Sequence, residues 1–557
     1  MFLDSETAEA LRISEYLKRV APYTPLGKKW KGRLKPYTLS QIEEWELDLQ
    51  DQQEIIEIFS ESRATYFLTC CELVDDIDFY LQEVLQDRSS TLTWFHVKRF
   101  LVMWFRWDEF VSSESSPRFM RMNPEEQRKL HFLLLLLQKS GRFTTSFEVS
   151  QLGDSKWLEM NRQKNQLTKA IQQLRKERQK QISERLQRNP NFQGEWVISR
   201  HQESAKVFAV DPDIKLVRET IYEQIYELVP DEQENVWQEQ LLICKEQMSI
   251  YEQSLFRQIN RLFRDHIPFL QSLVQRWTRL DFLWAKCRAV QSWNGVRPVY
   301  LENQVRVIAG TLPLEQEAWM QKGYEMTPVT LEMKPGCTLL IGPNMGGKTT
   351  ALRVVGLCTV LAQYGLYVPA EEFSFPLFPW IRTWIGDHQN AEQGLSSFGA
   401  EMNRLAQWID RDPENQGLIL LDEIGRGTNP IEGAAISCAI TRYLHESQAW
   451  AVHVTHFPEA LQIEGIQGYR VRGLSIIPKW DSDHPNQAED WIRLLYKAMD
   501  YHLDPIEDQE VVATQAILIA EMCGLPEKVI KQARTAVKQR IQEGDYEREI
   551  AFGSTEN

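Results

Sequence analysis

A chain of 557 residues, 43% hydrophobic and 25% charged, has the composition of a globular protein of roughly three or four domains, which excludes a disordered or fibrous class. The formal net charge of −15 gives no global signal for nucleic acid, so any DNA contact has to come from a local basic surface. Eight cysteines form no C-x-x-C pair, no signal peptide opens the chain, and the longest fully apolar run, Phe132 to Leu137, is too short for a bilayer, so the expectation is a soluble cytoplasmic protein.

Residues 1–115 read as short amphipathic helices punctuated by Pro22, Pro25 and Pro36. Apolar residues recur at helical spacing (Ile55, Ile58, Phe59, then Phe67, Leu68, Leu73), and the aromatics from Trp94 to Trp107 read as core. Adjacent Cys70 and Cys71 read as buried structural thiols, and His96, alone among apolar neighbours, as a structural histidine.

Residues 116–300 are dominated by long helices. From Asn161 to Arg188 the helix is strongly basic, through Lys169, Arg175, Lys176, Arg178 and Lys180 among others. Such a run is either a solvated helix face or an arm that contacts phosphates. After Asn189-Pro190, residues 196–198 and 206–210 look like two short strands of a small β insertion. A second long helix carries Leu241, Cys244, Met248, Tyr251, Leu255 and Leu262 near coiled-coil spacing and bends or ends at Pro268.

From Val305 the character becomes α/β, with strands predicted at 305–309, 338–341, 417–421 and 449–454 in one mostly parallel sheet. Leu339 to Ile341 leads into Gly342-Pro343-Asn344-Met345-Gly346-Gly347-Lys348-Thr349-Thr350, which satisfies the G-x-x-x-x-G-K-[ST] phosphate-loop pattern between a strand and a helix. Glycines let backbone N–H groups curl around phosphate oxygens, and the helix N-terminus adds its positive dipole end. Lys348 would reach the β- and γ-phosphates and Thr349 would hold Mg²⁺.

The apolar run 417–421 ends in Asp422-Glu423, where Asp422 suits the Mg²⁺ shell and Glu423 the positioning of an attacking water. The strand at 450–454 ends in Thr455-His456, and His456 is either a γ-phosphate sensor or a strand-end cap. Ser396, before the helix that contains Glu401, is either a helix cap or a serine presented to a nucleotide. Tyr324 precedes the strand leading to the loop, as an adenine-stacking residue or as core.

Together these stretches resemble the MutS family of DNA mismatch-repair ATPases. The phosphate loop with Pro343, Asn344 and Met345 in its variable slots, Tyr-Val-Pro-Ala at 367–370, Ser-Ser-Phe with Glu-Met at 396–402, Asp-Glu-Ile-Gly-Arg-Gly-Thr at 422–428 and Thr-His-Phe at 455–457 match in order and spacing. The ending from Ile519 to Ile530 looks like the family's helix–turn–helix. The resemblance is strong over roughly 320–540 and rests on helical layout over 1–300.

It implies an ABC-like α/β P-loop ATPase domain at 301–513, preceded by an all-α region with a core at 1–115 and a lever at 116–300. A clamp-like insertion would sit at about 190–230, a dimerising helix–turn–helix at 514–540 and a tail at 541–557. It further implies ATP and Mg²⁺ as ligands and a homodimer with Ser396 acting in trans on the partner's nucleotide. In that scheme His456 senses the γ-phosphate, Asn344 fixes the loop and Tyr324 stacks on adenine.

The sequence departs from mismatch-reading members. Their N-terminal reader and connector domains are not expected in it, and Phe59-Ser60-Glu61, which fits the letters of their wedge, is expected inside a helical stretch. Thr514-Gln515-Ala516 replaces Ser-Tyr-Gly before the terminal helices, and 478–510 carries extra polar residues. Two readings follow: an ATPase that acts on DNA by structure, or a protein-remodelling ATPase that reactivates a client such as a B12-dependent aminomutase without binding DNA.

Overall fold

The computed structural model describes residues 1–110, 117–202, 204–343, 346–385, 397–409, 417–474, 498–506, 516–522 and 525–542. The polar stretch 478–497, Thr514 and Gln515, and the tail from 543 lie outside them. The chain divides into two compact units, one made of Met1–Tyr23, Gly27–Ser60 and Leu280–Asn557, the other of Thr24–Leu26 and Glu61–Arg279.

The first stretch is helical: α1 (Ser5–Ala10), α2 (Ile13–Arg19), α3 (Pro25–Lys31), α4 (Ile42–Ile58), α5 (Glu61–Cys71), α6 (Ile77–Leu85), α7 (Thr91–Phe110) and α8 (Pro124–Leu137). In α7, Trp94, Trp104 and Trp107 are buried as expected, and His96 stacks on Tyr80 while bonding Asp75 at 2.7 Å. The long helices α9 (Ser155–Leu186) and α11 (Glu232–Arg264) each open on an aspartate cap. Asp154 accepts from the Trp157 N–H at 2.8 Å and Asp231 from the Glu234 N–H at 2.7 Å, each satisfying a donor that a helix start leaves bare.

Apolar residues bury along both helices (Trp157, Ile171 and Ile182; Cys244, Met248 and Leu255), and the Trp157 indole donates to Glu252 across the seam at 2.8 Å. Leu262 is half exposed; Ile259 and Phe263 carry the stripe at that end instead. Pro268 falls in the first turn of α12 (Ile267–Gln291), where a missing N–H costs nothing.

Between α9 and α11 lies the insertion: β1 (Trp196–Ser199), α10 (Ser204–Val210), β2 (Ile214–Glu219) and β3 (Glu223–Leu228), in an antiparallel sheet of order β1-β3-β2. The predicted strand at 206–210 is therefore a helix. Its apolar run is one helical face, with Ala205 and Phe208 buried against Trp196, Ile198, Ile214 and Tyr226 while Val207 and Val210 stay exposed.

The other unit continues with β4 (Val299–Tyr300), β5 (Val305–Gly310), α13 (Pro313–Met320), β6 (Val329–Met333), β7 (Gly336–Ile341), α14 (Lys348–Gln363), β8 (Glu372–Phe375) and β9 (Ile381–Trp384). Then come α15 (Ser397–Ile409), β10 (Leu418–Asp422), α16 (Pro430–Glu446), β11 (Trp450–Val454), β12 (Gln467–Leu474), β13 (Met499–Pro505) and the C-terminal helices Ala516–Met522 and Glu527–Gln542. Six strands form a sheet of order β13-β12-β7-β11-β10-β9, parallel throughout except for the antiparallel β12–β13 pair. The strand predicted at 305–309 does not join it. It pairs antiparallel with β6 and β8 in a second sheet of order β4-β8-β5-β6.

Strand alternation gives the six-stranded sheet two apolar faces. Leu340, Leu418, Leu420, Val452 and Val454 pack with α14, whereas Cys337, Ile419, Leu421 and Ala451 pack with Leu405, Trp408 and Leu444 of α15 and α16. Carbonyls at the end of α14 and in the two residues after it are taken by side chains from α4 and α12. The Trp45 indole donates to Ala362 O at 2.7 Å, Gln52 to Gly365 O at 2.7 Å, and the Lys286 ammonium to Tyr364 O and Gly365 O at 3.2 and 3.1 Å. Lys286 also holds a buried ion pair with Asp48 at 2.5 Å and places a cation at the negative end of the α14 dipole.

Removing one partner of a buried pair leaves a desolvated charge. Asp48→Ala is therefore expected to cost about 3 to 5 kcal/mol in urea unfolding, and Asp48→Leu combined with Lys286→Met to recover most of that loss.

Candidate phosphate-binding site

β7 is buried along its whole length and delivers the chain to Gly342 at the carboxyl edge of the parallel sheet. That edge is where open α/β sheets bind ligands. The loop then closes on Gly347, at φ 81°, and α14 begins at Lys348, so its first N–H groups point out of the helix end. The surroundings of the loop glycines are tight: a Cβ on Gly342 would lie 2.9 Å from Val471, one on Gly346 2.8 Å from Pro343 O, and one on Gly347 3.1 Å from the Tyr501 ring.

Lys348 is buried, and its ammonium donates to Gly342 O and Pro343 O at 3.0 Å each. Burial lowers its pKa, while Glu423, 3.8 Å away, and Asp422 work the other way. Thr349 donates from Oγ1 to Oδ2 of Asp422 at 2.7 Å. The Asp422 carboxyl is pushed above the usual carboxylate range by burial, with the Thr349 hydrogen bond opposing. Thr350 follows in the first turn, half-buried.

Glu423 adopts φ 51°, in the left-handed region that costs a residue with a side chain, and its N–H is fixed to Val454 O at 2.9 Å. Its carboxylate meets Arg426 at 2.8 Å. Gly425 and Gly433 press together so closely that a Cβ on either would lie 2.7 or 2.3 Å from the other's carbonyl oxygen. This seats the loop after Glu423 on the start of α16. His456, on the neighbouring strand end, leans on Phe457 with ring centroids 4.1 Å apart. Burial lowers its pKa, against the opposing pull of Glu423. The structure thus brings Gly342, Pro343, Gly346, Gly347, Lys348, Thr349, Asp422, Glu423 and His456 together on three adjacent strand ends, β7, β11 and β10.

Asn344, Met345 and Ser396 lie outside the described residues. Tyr324 sits between α13 and β6, half-buried, with its N–H on Trp319 O at 3.0 Å. A hydroxyl beside a carboxylate is a hard-oxygen donor set of the kind Mg²⁺ takes when phosphate and water complete its shell, so the residues present fit a Mg²⁺–nucleotide. No group of three or more His, Cys, Asp or Glu that could hold a metal without a nucleotide occurs among the described residues.

Two contributors escaped the sequence reading of the site. The Glu401 carboxylate, buried and with its pKa raised by that burial, accepts the Gly425 N–H at 3.2 Å and so braces the loop carrying Glu423. In the sequence this glutamate shows only as a letter of the Ser-Ser-Phe…Glu-Met pattern. His453, fully buried on β11, bonds Thr441 Oγ1 at 2.8 Å. Because Thr441 gives its own proton to Ser437 O, the imidazole Nδ1 is the donor and carries the hydrogen. No local signal distinguishes this histidine within an apolar strand.

On the basic helix, Arg175 bonds Glu234 at 2.5 Å, and Arg178 reaches Asp213, Asp231 and Glu234 at 3.4, 3.6 and 3.9 Å. Lys180 lies 4.0 Å from Glu184, whereas Lys169 and Lys176 are exposed and carry no ion pair among the described residues. Two of the five candidate DNA contacts, Arg175 and Arg178, are thus engaged with carboxylates of α11 and of the segments flanking it.

Residues 338–541 match the family model of MutS domain V. The DNA mismatch repair protein MutS of Geobacillus kaustophilus is 30% identical over 61% of this chain and 37% of its own length. The Thermus aquaticus protein of that name is 30% identical over 52% and 32%, and the Bacteroides thetaiotaomicron one 29% over 55% and 34%. The matched stretch spans about a third of each of these relatives. The MutS-family resemblance drawn from the motifs therefore holds for this chain. Among the described residues no helix is long and apolar enough to cross a membrane.

His453 supplies a measurable pH signature. Burial, with a smaller contribution from His456, holds its pKa down to about 4, so its stabilising effect is complete above the unfolded value of 6.5 and is lost as pH falls toward 4. Between pH 7 and pH 5 the wild type should lose about 2 kcal/mol through this residue, and His453→Leu should lose correspondingly less in denaturant titrations at the two pH values.

Proposed function

We propose that this MutS-like chain is a homodimeric, cytoplasmic ATPase that binds and hydrolyses ATP to move a helical arm on DNA, recognising structure rather than mismatches. The observation that carries the reading is the Thr349–Asp422 hydrogen bond of 2.7 Å beside buried Lys348, on a loop filled as the MutS family fills it. DNA as the substrate is supported by the relatives being DNA mismatch repair proteins and by the exposed lysines of α9.

The chain's own groups divide the work. The α14 N-terminus and the loop N–H groups hold phosphate oxygens, and Lys348 turns from the loop carbonyls to the β- and γ-phosphates. Thr349 and Asp422 hold the metal, and Mg²⁺ supplies charge neutralisation on the transferred phosphoryl group. Glu423 orients the attacking water and takes up its proton. His456 reads the γ-phosphate, Tyr324 stacks on the adenine, and Ser396 of each copy completes the site of the other. The helices Ala516–Met522 and Glu527–Gln542 join the two copies.

A second reading, remodelling of a protein client, is favoured by one observation: Arg175 and Arg178 are already neutralised by Glu234, Asp213 and Asp231.

Lys348→Ala is expected to weaken ATP binding at least about a hundredfold by calorimetry, whereas Glu423→Ala binds ATP and loses about 10² to 10⁴ in kcat. Unchanged hydrolysis in either variant refutes the ATPase reading. For the arm, log Kd for duplex or branched DNA should depend steeply on log salt, and Lys169→Ala with Lys176→Ala should lower that slope by about two. Absence of DNA binding at low salt by the intact protein selects the protein-client reading.

A further inference from the structure

The glycines of the phosphate loop rest against a single hairpin. β12 and β13 pair antiparallel at the edge of the six-stranded sheet, with an irregular step between Val471 and Gly473. Val471 lies against two of the glycines: a Cβ on Gly342 would stand 2.9 Å, and one on Gly346 3.2 Å, from its side chain. Tyr501, on the facing strand, lies against the third, with its Cδ1 3.1 Å from a Cβ placed on Gly347. Gly347 is the residue from which α14 starts, so the ring touches the point where loop becomes helix.

The same tyrosine belongs to a small apolar cluster. Ala498 and Met499 are buried there, with Leu474, Tyr501 and Ile519 packed against them. Ile519 sits on the helix Ala516–Met522. One aromatic side chain therefore borders the phosphate loop and also belongs to the cluster that seats the first C-terminal helix. Close-packed apolar contacts transmit displacement because they have no slack to absorb it.

We propose that Tyr501 is a positioning residue that couples occupancy of the phosphate loop to the helix Ala516–Met522. Nucleotide binding sets the Gly347 backbone, the ring follows, and the cluster that seats the helix tightens. This rests on the nucleotide-binding reading above and adds to it a route from the phosphate loop to the C-terminal helices.

The test is hydrogen–deuterium exchange of the full-length chain with and without Mg²⁺–ADP, with ADP binding measured separately by calorimetry. Peptides covering 499–505 and 516–522 should exchange at least about fivefold more slowly with nucleotide, the lower end of ordinary coupling between sites. Tyr501→Ala should retain ADP binding and lose the protection at 516–522, and Tyr501→Phe should restore it, since the ring and not the hydroxyl makes the contact. Ile519→Ala, remote from the loop, should bind ADP as wild type does and also lose the protection. Wild-type ADP binding without protection at 516–522, or full protection in both alanine variants, overturns the coupling and leaves the nucleotide site standing. Failure of the wild type to bind ADP overturns both.

Discussion

The site depends on a helix held at both ends. At its start, α14 is tied to β10 by the Thr349–Asp422 hydrogen bond and opens from a tightly enclosed glycine loop. At its finish, Trp45 donates to Ala362 O, and Gln52 and Lys286 hold Gly365 O just past its last residue. Between these points nearly every side chain is buried against the six-stranded sheet or the N-terminal helices. A helix fixed in this way presents its N-terminal N–H groups at one defined position, and a phosphate-binding site requires that.

Charge at the site is arranged at a cost. Lys348, Asp422, Glu423 and His456 gather in a partly desolvated space, and burial disfavours the charged forms of Lys348, Asp422 and His456. The carboxylates and the ammonium compensate one another in part, with Arg426 on the outside of Glu423. Such an arrangement costs stability on its own, and a bound ligand that redistributed the charge would return it.

Much of this was legible in the sequence because it is local. The phosphate loop, the Asp422-Glu423 pair and the Thr455-His456 pair each follow an apolar strand within a few residues, and the structure sets them side by side because their strands are neighbours in a parallel sheet. What was not legible depends on contacts far apart along the chain. Arg175 finds Glu234 across 59 residues, and Lys286 finds Asp48 across 238. The misread strand at 206–210 was a short apolar run whose period could not discriminate helix from strand. The strand expected at 305–309 has the right type, but pairing partners are set by topology and not by local pattern. His453 shows the limit most plainly, since its role is fixed entirely by Thr441 on a helix packed over the sheet.

The contact between Gly425 and Gly433 has a further implication. With each backbone filling the space where the other's side chain would stand, the segment after Glu423 and the opening turn of α16 form one solid piece. A side chain at either glycine would displace the segment that carries the Glu423 carboxylate. Arg426, two-thirds exposed, is the member of that turn which solvent reaches, so its guanidinium can leave the Glu423 carboxylate without disturbing the contact between the two glycines.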